Sequence, residues 1–336
     1  MNAPPASYPW LEPAWADLRS YRESGRIPQA LLIHGAAGLG KTGLAVRFAR
    51  SLTCTAGQVE ACGQCHSCHL FAADTHPDYQ YLAPEEPGKA IKVDAIRKLI
   101  NDLALKPQYA GYRVFIIDQA DQMNLSSANA LLKTLEEPAE KTLLFLITER
   151  PSRLPPTILS RCQKLMIRGP RNEEALRWLQ AQHPGVDAEV LLSTAGGSPL
   201  RALALAGRDD VKRRQQVFSE FIGVLRQQQD PVLIADRWQA EPLAQCIEWV
   251  VSWVADLARL AIANPSAHVR NPDLGRILRE NVPGIDPRSL LGYWEYLLKC
   301  RRALDGQANR QLLLEELLIR ASYLRRPPPA GMKAEW

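Results

Sequence analysis

No stretch of this 336-residue chain is apolar for long enough to cross a bilayer. Its most apolar long run, Trp249 to Ala263, is broken by Ser252, Asp256 and Arg259, whereas a spanning helix needs ~20 nearly uncharged residues. The opening, MNAPPASYPW, has no basic start and no apolar run, so nothing there marks the chain for export. A cytoplasmic protein with no membrane association is the expectation. A large excess of one charge is missing too. The net charge of +5 is too mild to identify a nucleic-acid binder and does not oppose one. Internal repeats and low-complexity blocks are absent. At 46% apolar and 23% charged residues, the composition also excludes disordered, collagenous and disulfide-scaffold classes. In such a chain the seven cysteines point to metal or buried thiols, not disulfides.

What is present is an alternation. The length suggests two or three domains at about 100–200 residues each. In the first half, apolar runs at Ala30 to His34, Tyr79 to Leu82, Val114 to Ile117, Thr142 to Ile147 and Lys164 to Ile167 read as strands. Between them, Thr42 to Leu52, Val93 to Leu105 and the segment carrying Ala128, Leu131, Leu132 and Leu135 read as helices. Asn124 or Ser126 is the N-cap of the last, and Pro138 ends it. Continuous apolar strands separated by helices predict a parallel sheet covered on both faces. From about Gly169 the strand signal stops. Helices are predicted over Glu173 to Gln182 and Asp187 to Thr194, and from a Gly196-Gly197-Ser198-Pro199 turn through Leu205. After Gly207 the chain reads as helical to Leu324, with breaks at Asp230-Pro231, Asn264-Pro265, Asn271-Pro272 and Pro283-Gly284. The domains expected are an α/β domain over 1–168, a small helical piece over 169–207, a helical domain over 208–326 and a tail over 327–336.

Gly35-Ala36-Ala37-Gly38-Leu39-Gly40-Lys41-Thr42 fits G-x-x-x-x-G-K-[ST] and lies between a strand and a helix, as that motif requires. Gly35, Gly38 and Gly40 let backbone N–H groups close around phosphate oxygens. The helix N-terminus adds partial positive charge. Lys41 reaches the β- and γ-phosphates, and Thr42 offers its hydroxyl to Mg²⁺. Asp118, at the end of a neighbouring strand, is the candidate metal-binding acid. In P-loop ATPases of the AAA+ type a water-activating carboxylate directly follows it; here that position is Gln119. An amide holds a water but does not take its proton at neutral pH. ATP or ADP is therefore expected to bind with Mg²⁺ and not to turn over, unless Gln119 substitutes as glutamine does in some GTPases.

Cys54, Cys62, Cys65 and Cys68 form C-x₇-C-x₂-C-x₂-C. That spacing suits a Cys₄ zinc site with no open position, hence a structural one. An iron–sulfur cluster is the chemical rival, but the chain shows no other redox machinery. The segment CGQCHSC contains no Lys or Arg, which argues against phosphate contact. His66 and His69 read as exposed neighbours, and Cys162, Cys246 and Cys300 as buried thiols. The tryptophans Trp238, Trp249, Trp253 and Trp294 read as core or interface. The basic pairs Arg213-Arg214, Arg301-Arg302 and Arg325-Arg326 read as solvated faces.

The P-loop, the Cys₄ insert, SSANALLKTLEEP (Ser126 to Pro138) and Ser160-Arg161-Cys162, in that order, resemble the bacterial clamp-loader ATPase family of DNA polymerase III. Gln119, and the segments YPWLEPAWADL (Tyr8 to Leu18), THPDYQYLAPE (Thr75 to Glu85) and DGQANRQLLLEELLIR (Asp305 to Arg320), place the resemblance with the delta-prime class rather than the gamma/tau motors. Some delta-prime subunits have lost the P-loop lysine; Lys41 is present. The resemblance implies a RecA-like AAA+ domain with a zinc insert, a small helical lid and an all-α collar. It implies a hetero-pentameric ring with gamma/tau motors and a delta subunit, which places the sliding clamp on primed DNA. It implies a stator without catalysis of its own, whose Arg161 serves as an arginine finger for the neighbouring motor. Thr148 matches the sensor of the γ-phosphate, and Arg201 lies within a residue of the lid's sensor arginine. A hydrolysing motor, or a zinc-dependent nucleic-acid binder with a vestigial P-loop, is the alternative.

Overall fold

A computed structural model describes residues 8–325 apart from 87, 110, 186, 207–209, 264–266 and 305–308. The tail expected over 327–336 and the expected boundary at 207/208 lie outside the described residues. The chain divides into two compact units, Met1–Pro170 and Arg171–Trp336.

The first unit runs α1 (Glu12–Glu23), β1 (Ala30–His34), α2 (Lys41–Thr53), α3 (His66–Ala72), β2 (Tyr79–Leu82), α4 (Val93–Leu103), β3 (Arg113–Ile117), α5 (Leu125–Glu136), β4 (Thr142–Thr148), α6 (Pro156–Leu159) and β5 (Gln163–Met166). The strands form one sheet in the order β2-β3-β4-β1-β5, and every pairing is parallel. Residues alternate between its faces, as the two-residue period of a strand requires. Leu32, Phe115, Ile117, Leu144 and Leu146 pack with Ile96 and Leu99 of α4 and Leu131 and Leu135 of α5. On the other face Phe145 meets Phe48 of α2 edge-on, and Phe48 meets Trp15 of α1 in the same way. β3 and β4 are buried throughout, whereas in edge strand β5 only Leu165 is buried. This is the doubly covered parallel sheet that the apolar runs predict.

Several boundaries differ from the pattern-based reading. α4 stops at Leu103, short of Leu105, which stands exposed. β5 lies one residue earlier than its apolar run. Asn124 is the cap of α5, its Oδ1 accepting from the Ser127 N–H at 2.8 Å. Helix α1, for which the pattern reading assigned no element, buries Ala14, Trp15 and Leu18 on one stripe.

The second unit is helical in its described residues: α7 (Asn172–Gln182), α8 (Ala188–Thr194), α9 (Pro199–Leu205), α10 (Asp210–Leu225), α11 (Pro231–Trp238), α12 (Leu243–Ile262), α13 (Gly275–Asn281), α14 (Pro287–Ala303) and α15 (Arg310–Ser322). Its described residues include two apolar clusters. The smaller joins Ala175, Leu179, Leu191, Leu192 and Ala202. The larger gathers Phe221, Trp238, Trp253, Tyr293 and Leu317 from α10, α11, α12, α14 and α15. The Trp249 indole N–H donates to the Thr194 carbonyl at 2.9 Å and ties α12 to α8. A break at Gln239–Pro242, additional to the predicted ones, separates α11 from α12. Proline at 242 explains it, since it lacks the N–H that a continuing helix would use.

One reading is overturned. Arg214 is not on a solvated face. It is fully buried, donating to Asp273 Oδ2 at 2.6 Å and to Asn271 Oδ1 at 2.7 Å.

Candidate nucleotide site and cysteine cluster

The phosphate loop leaves the carboxyl end of β1 and enters α2 at Lys41. Its glycines are needed where they stand. A Cβ on Gly35 would lie 2.4 Å from the Ile167 carbonyl oxygen, and one on Gly40 2.9 Å from the Tyr8 ring. Gly38 and Gly40 take φ of 62° and 85°, which an L side chain resists. Trp10 braces the loop from outside, its indole N–H donating to the Leu39 carbonyl at 2.9 Å.

The polar groups of the site come from four strand ends. Thr42 Oγ1 donates to Asp118 Oδ2 at 2.8 Å. The same oxygen accepts from Tyr81 OH at 2.7 Å, and Oδ1 accepts from the Gln119 N–H at 2.8 Å. A hydroxyl and a carboxylate at this separation are a donor set suited to Mg²⁺, which takes oxygen ligands. Tyr81, at the end of β2, was not singled out by sequence reasoning. Burial, then its bond to Asp118, raises its pKa above the ordinary tyrosine range. Thr148 is level with His34 in the β1–β4 register, and its hydroxyl donates to Asp121 Oδ1 at 2.6 Å. Lys41 Nζ donates to the Ala36 carbonyl at 2.7 Å and lies 3.8 Å from Glu149 Oε1. Burial pushes the Lys41 ammonium below its usual range, opposed by Glu149, Asp118 and Asp121. Gln119 is exposed and holds a left-handed φ of 51°.

Arg161 is elsewhere. It follows α6 and precedes β5, whose Gln163 pairs with Leu31 of β1. Arg161 therefore stands at the amino end of the sheet, and the phosphate loop at the carboxyl end. Its Nη2 lies 2.5 Å from Glu136 Oε1, and Nη1 donates to the Thr157 carbonyl at 3.0 Å. Arg201 belongs to α9 of the second unit, where it pairs with Glu248 at 3.4 Å.

The four cysteines converge. Cys54 caps the C-terminus of α2, and Cys65 caps α3 by accepting from the Cys68 N–H. The Sγ separations are 3.6 Å for Cys54–Cys62, 3.9 Å for Cys54–Cys65 and 4.0 Å for Cys62–Cys68. A tetrahedron with metal–sulfur bonds of ~2.3 Å has edges of ~3.8 Å, so one ion fits. A multi-iron cluster distributes its thiolates over different irons and needs a wider cage. Backbone N–H groups of Cys62, Cys65 and Cys68 donate to the sulfurs of Cys54, Cys62 and Cys65 at 3.3–3.4 Å. Such bonds stabilise thiolate. Burial opposes ionisation of Cys65, but hydrogen bonds from Thr55 and from Cys68 bring its thiol down to about 5. His66 and His69 are exposed, and Cys162, Cys246 and Cys300 are buried. Below the cluster, Ser67 Oγ donates to the Thr53 carbonyl and lies 2.9 Å from His76 Nε2, while His76 Nδ1 accepts from the Asp78 N–H at 3.0 Å. That buried chain ties the insert to β2.

The sequence family described as "DNA polymerase III, delta subunit" matches residues 10–171, and "DNA polymerase III, delta subunit, C terminal" matches residues 208–322. DNA polymerase III subunit delta' of Pseudomonas aeruginosa is 36% identical over 95% of this chain and 98% of its own length. That of Escherichia coli is 31% identical over 95% and 96%. DNA polymerase III subunit tau of Escherichia coli is 30% identical over 88% of this chain but only 50% of its own length. The near-complete mutual coverage with the delta' proteins, on a parallel sheet carrying a P-loop and a Cys₄ insert, decides between these relatives: the chain belongs to the delta' subunit family of DNA polymerase III.

Proposed function

We propose that this chain is the stator of a cytoplasmic, hetero-pentameric clamp loader. Gamma/tau motors and a delta subunit are its neighbours, and the assembly places the sliding clamp on primed DNA. In this reading the chain holds Mg-ATP or Mg-ADP at Gly35 to Thr42 and Asp118 without hydrolysing it, and lends Arg161 to the adjacent motor. Residues 169–207 are assigned to the lid and 208–326 to the collar. Thr148 is assigned to sensing the terminal phosphate, and Arg201 to the lid sensor. Zinc is assigned to Cys54, Cys62, Cys65 and Cys68, as a structural ion.

The observation that carries this reading is the polarity of the sheet. Arg161 lies two residues before the partner of Leu31, and Gly35 four residues after Leu31. At ~3.3 Å per residue, roughly 20 Å of sheet separates them, well beyond the reach of an arginine side chain. Arg161 therefore does not reach a phosphate held by its own loop, which supports a role toward a neighbouring chain. Gln119 supports the absence of turnover, because the position next to Asp118 carries no proton acceptor. Asp121, three residues on, is held by the Thr148 hydroxyl at Oδ1 rather than placed directly after Asp118, which supports the same reading.

The test is a reconstituted loader with wild-type motors and Arg161→Ala in this subunit. The Glu136 pair is half exposed, so folding and assembly should change by less than ~1 kcal/mol. Single-turnover hydrolysis at the adjacent motor site should fall by ~10³-fold or more. Arg161→Lys should not restore it, since an ammonium lacks the planar fork. An unchanged rate in an assembled complex removes the finger assignment.

A further inference from the structure

The ion pair between Lys41 and Glu149 lies inside the phosphate site, and no part of the P-loop pattern calls for that glutamate. Its place follows from strand order. β4 stands between β1, which delivers the loop, and β3, which delivers Asp118. Glu149 is the first residue after β4, and Thr148 before it is level with His34, the residue preceding the loop. A loop of this type cradles the inner phosphates with its amides, and its lysine reaches the outer ones. A phosphate chain running from the loop toward Asp118 and Thr148 brings its last member to the region beside Glu149.

The charges there are already unbalanced. Lys41 is nearly buried, at 6% side-chain exposure, and faces Glu149, Asp118 and Asp121. Asp118 is occupied by Thr42 and Tyr81, and Asp121 by Thr148. Glu149, at 47% exposure, is the carboxylate with room to turn into solvent. To engage a terminal phosphate Lys41 must leave the Ala36 carbonyl and move out of its 3.8 Å ion pair with Glu149, and the phosphate must then sit beside a like charge. A diphosphate, one group shorter, meets less of that repulsion.

We propose that Glu149 sets the phosphate-number preference of this site, disfavouring nucleoside triphosphate relative to diphosphate by holding Lys41 and by standing beside the outermost phosphate. The proposal rests on the reading of Gly35 to Thr42 as a nucleotide site. Because the pair is partly solvated, its effect is a factor of a few rather than of thousands.

The experiment is isothermal titration of the full chain with Mg-ADP and with Mg-ATP, in wild type, Glu149→Gln and Lys41→Ala, with thermal melting to establish that each variant is folded. Glu149→Gln should tighten Mg-ATP by roughly three- to tenfold and Mg-ADP by less than about twofold, so that the ratio of the two dissociation constants moves. Appearance of Mg-ATP binding in Glu149→Gln where wild type shows none supports the proposal equally. Equal changes for both nucleotides, or none, with wild-type binding intact and abolished by Lys41→Ala, overturn the role of Glu149 and leave the nucleotide site standing. Binding in neither wild type nor Glu149→Gln overturns both. A loss of turnover in Glu149→Gln with unmoved affinities overturns the proposal in favour of a water-activating role.

Discussion

Asp256→Asn changes one atom and one charge in the second unit, and its effect can be worked out from the bonds around it. Asp256 is fully buried. Its Oδ1 accepts from Arg259 Nη1 at 2.8 Å and from the Arg270 N–H at 2.9 Å. Its Oδ2 accepts from the Asn271 N–H at 3.0 Å and from Asn271 Nδ2 at 2.8 Å. Asn271 Nδ2 also donates to Ser252 Oγ at 2.9 Å, and Asn271 Oδ1 accepts from Arg214. One carboxylate thus joins α12 to the 270–274 segment and, through Asn271, to α10.

An asparagine at 256 has the same shape but a single acceptor oxygen. Either orientation of its amide aims an NH₂ at two donors. With the NH₂ toward Asn271, that side chain could answer only by turning over, which would break its bond to the buried Arg214. The opposite orientation is the better one. Arg259, 37% exposed, then turns into water, and the Arg270 N–H is left without an acceptor. An orphaned donor costs about 1–3 kcal/mol when fully buried, and the Arg270 N–H, partly buried on an exposed residue, falls at the low end, about 1 kcal/mol. The bonds that remain lose their ionic partner, which weakens them by roughly 1 kcal/mol together. The expected loss is therefore ~2 kcal/mol. Urea unfolding followed by tryptophan fluorescence reads it, because Trp178, Trp238, Trp249, Trp253 and Trp294 all lie in this unit. At a slope of ~2 kcal/mol per molar, the midpoint of that transition should fall by ~1 M. The first unit should be followed separately, since two units need not unfold as one. A midpoint within ~0.25 M of wild type would refute the reasoning, because it would mean that the four donors find other acceptors.

Two further outcomes follow from the first unit. The purified chain should carry one zinc by elemental analysis, and stripping it should make Cys54, Cys62, Cys65 and Cys68 reactive toward a thiol reagent, while the buried Cys162, Cys246 and Cys300 stay protected and the tryptophan signal of the second unit stays unchanged; metal-free protein whose four clustered thiols react at once would contradict this. Gly35→Ala places a Cβ 2.4 Å from the Ile167 carbonyl, a backbone atom unable to yield, so a melting experiment should show a loss above ~1 kcal/mol together with loss of the nucleotide-dependent rise in melting temperature; a variant that keeps both would show the loop to be more adaptable than it looks.

The two local motifs were legible because each is nearly contiguous. The P-loop spans Gly35 to Thr42 and the cysteines Cys54 to Cys68, so spacing alone brings the groups together. Tyr81, Asp121 and Glu149 were not legible as neighbours of Lys41 and Asp118. They reach the site from the end of β2, from the turn after β3 and from the end of β4, and only the strand order β2-β3-β4-β1 makes those ends adjacent. Arg214 is a different failure. Read as half of an Arg-Arg pair, it looks solvated. On a helix, adjacent residues point ~100° apart, so one arginine of a pair can face outward and the other inward. Arg214 lies three, four and seven residues before Val217, Phe218 and Phe221, which are all buried. The helical stripe, not the dipeptide, was the informative pattern.

The polarity of a parallel sheet would also let one small domain serve the two sites proposed for it. All strands run the same way, so their carboxyl ends collect loops on one side of the sheet and their amino ends collect the preceding turns on the other. Here the carboxyl side holds Lys41, Thr42, Asp118, Thr148 and Glu149. The amino side holds Arg161, with Glu136 beside it. On the reading proposed above, the first set meets a phosphate held by this chain's own loop, and the second stands too far from that loop to reach the same phosphate. A substitution on one side should therefore leave the chemistry of the other untouched: Arg161→Ala should not alter nucleotide affinity of the isolated chain, and Glu149→Gln should not alter hydrolysis at the neighbouring motor. Cross-talk between those two variants, measured as non-additivity in a double-mutant cycle, would show that the sheet transmits between its ends, and the division of labour proposed for them would have to be given up.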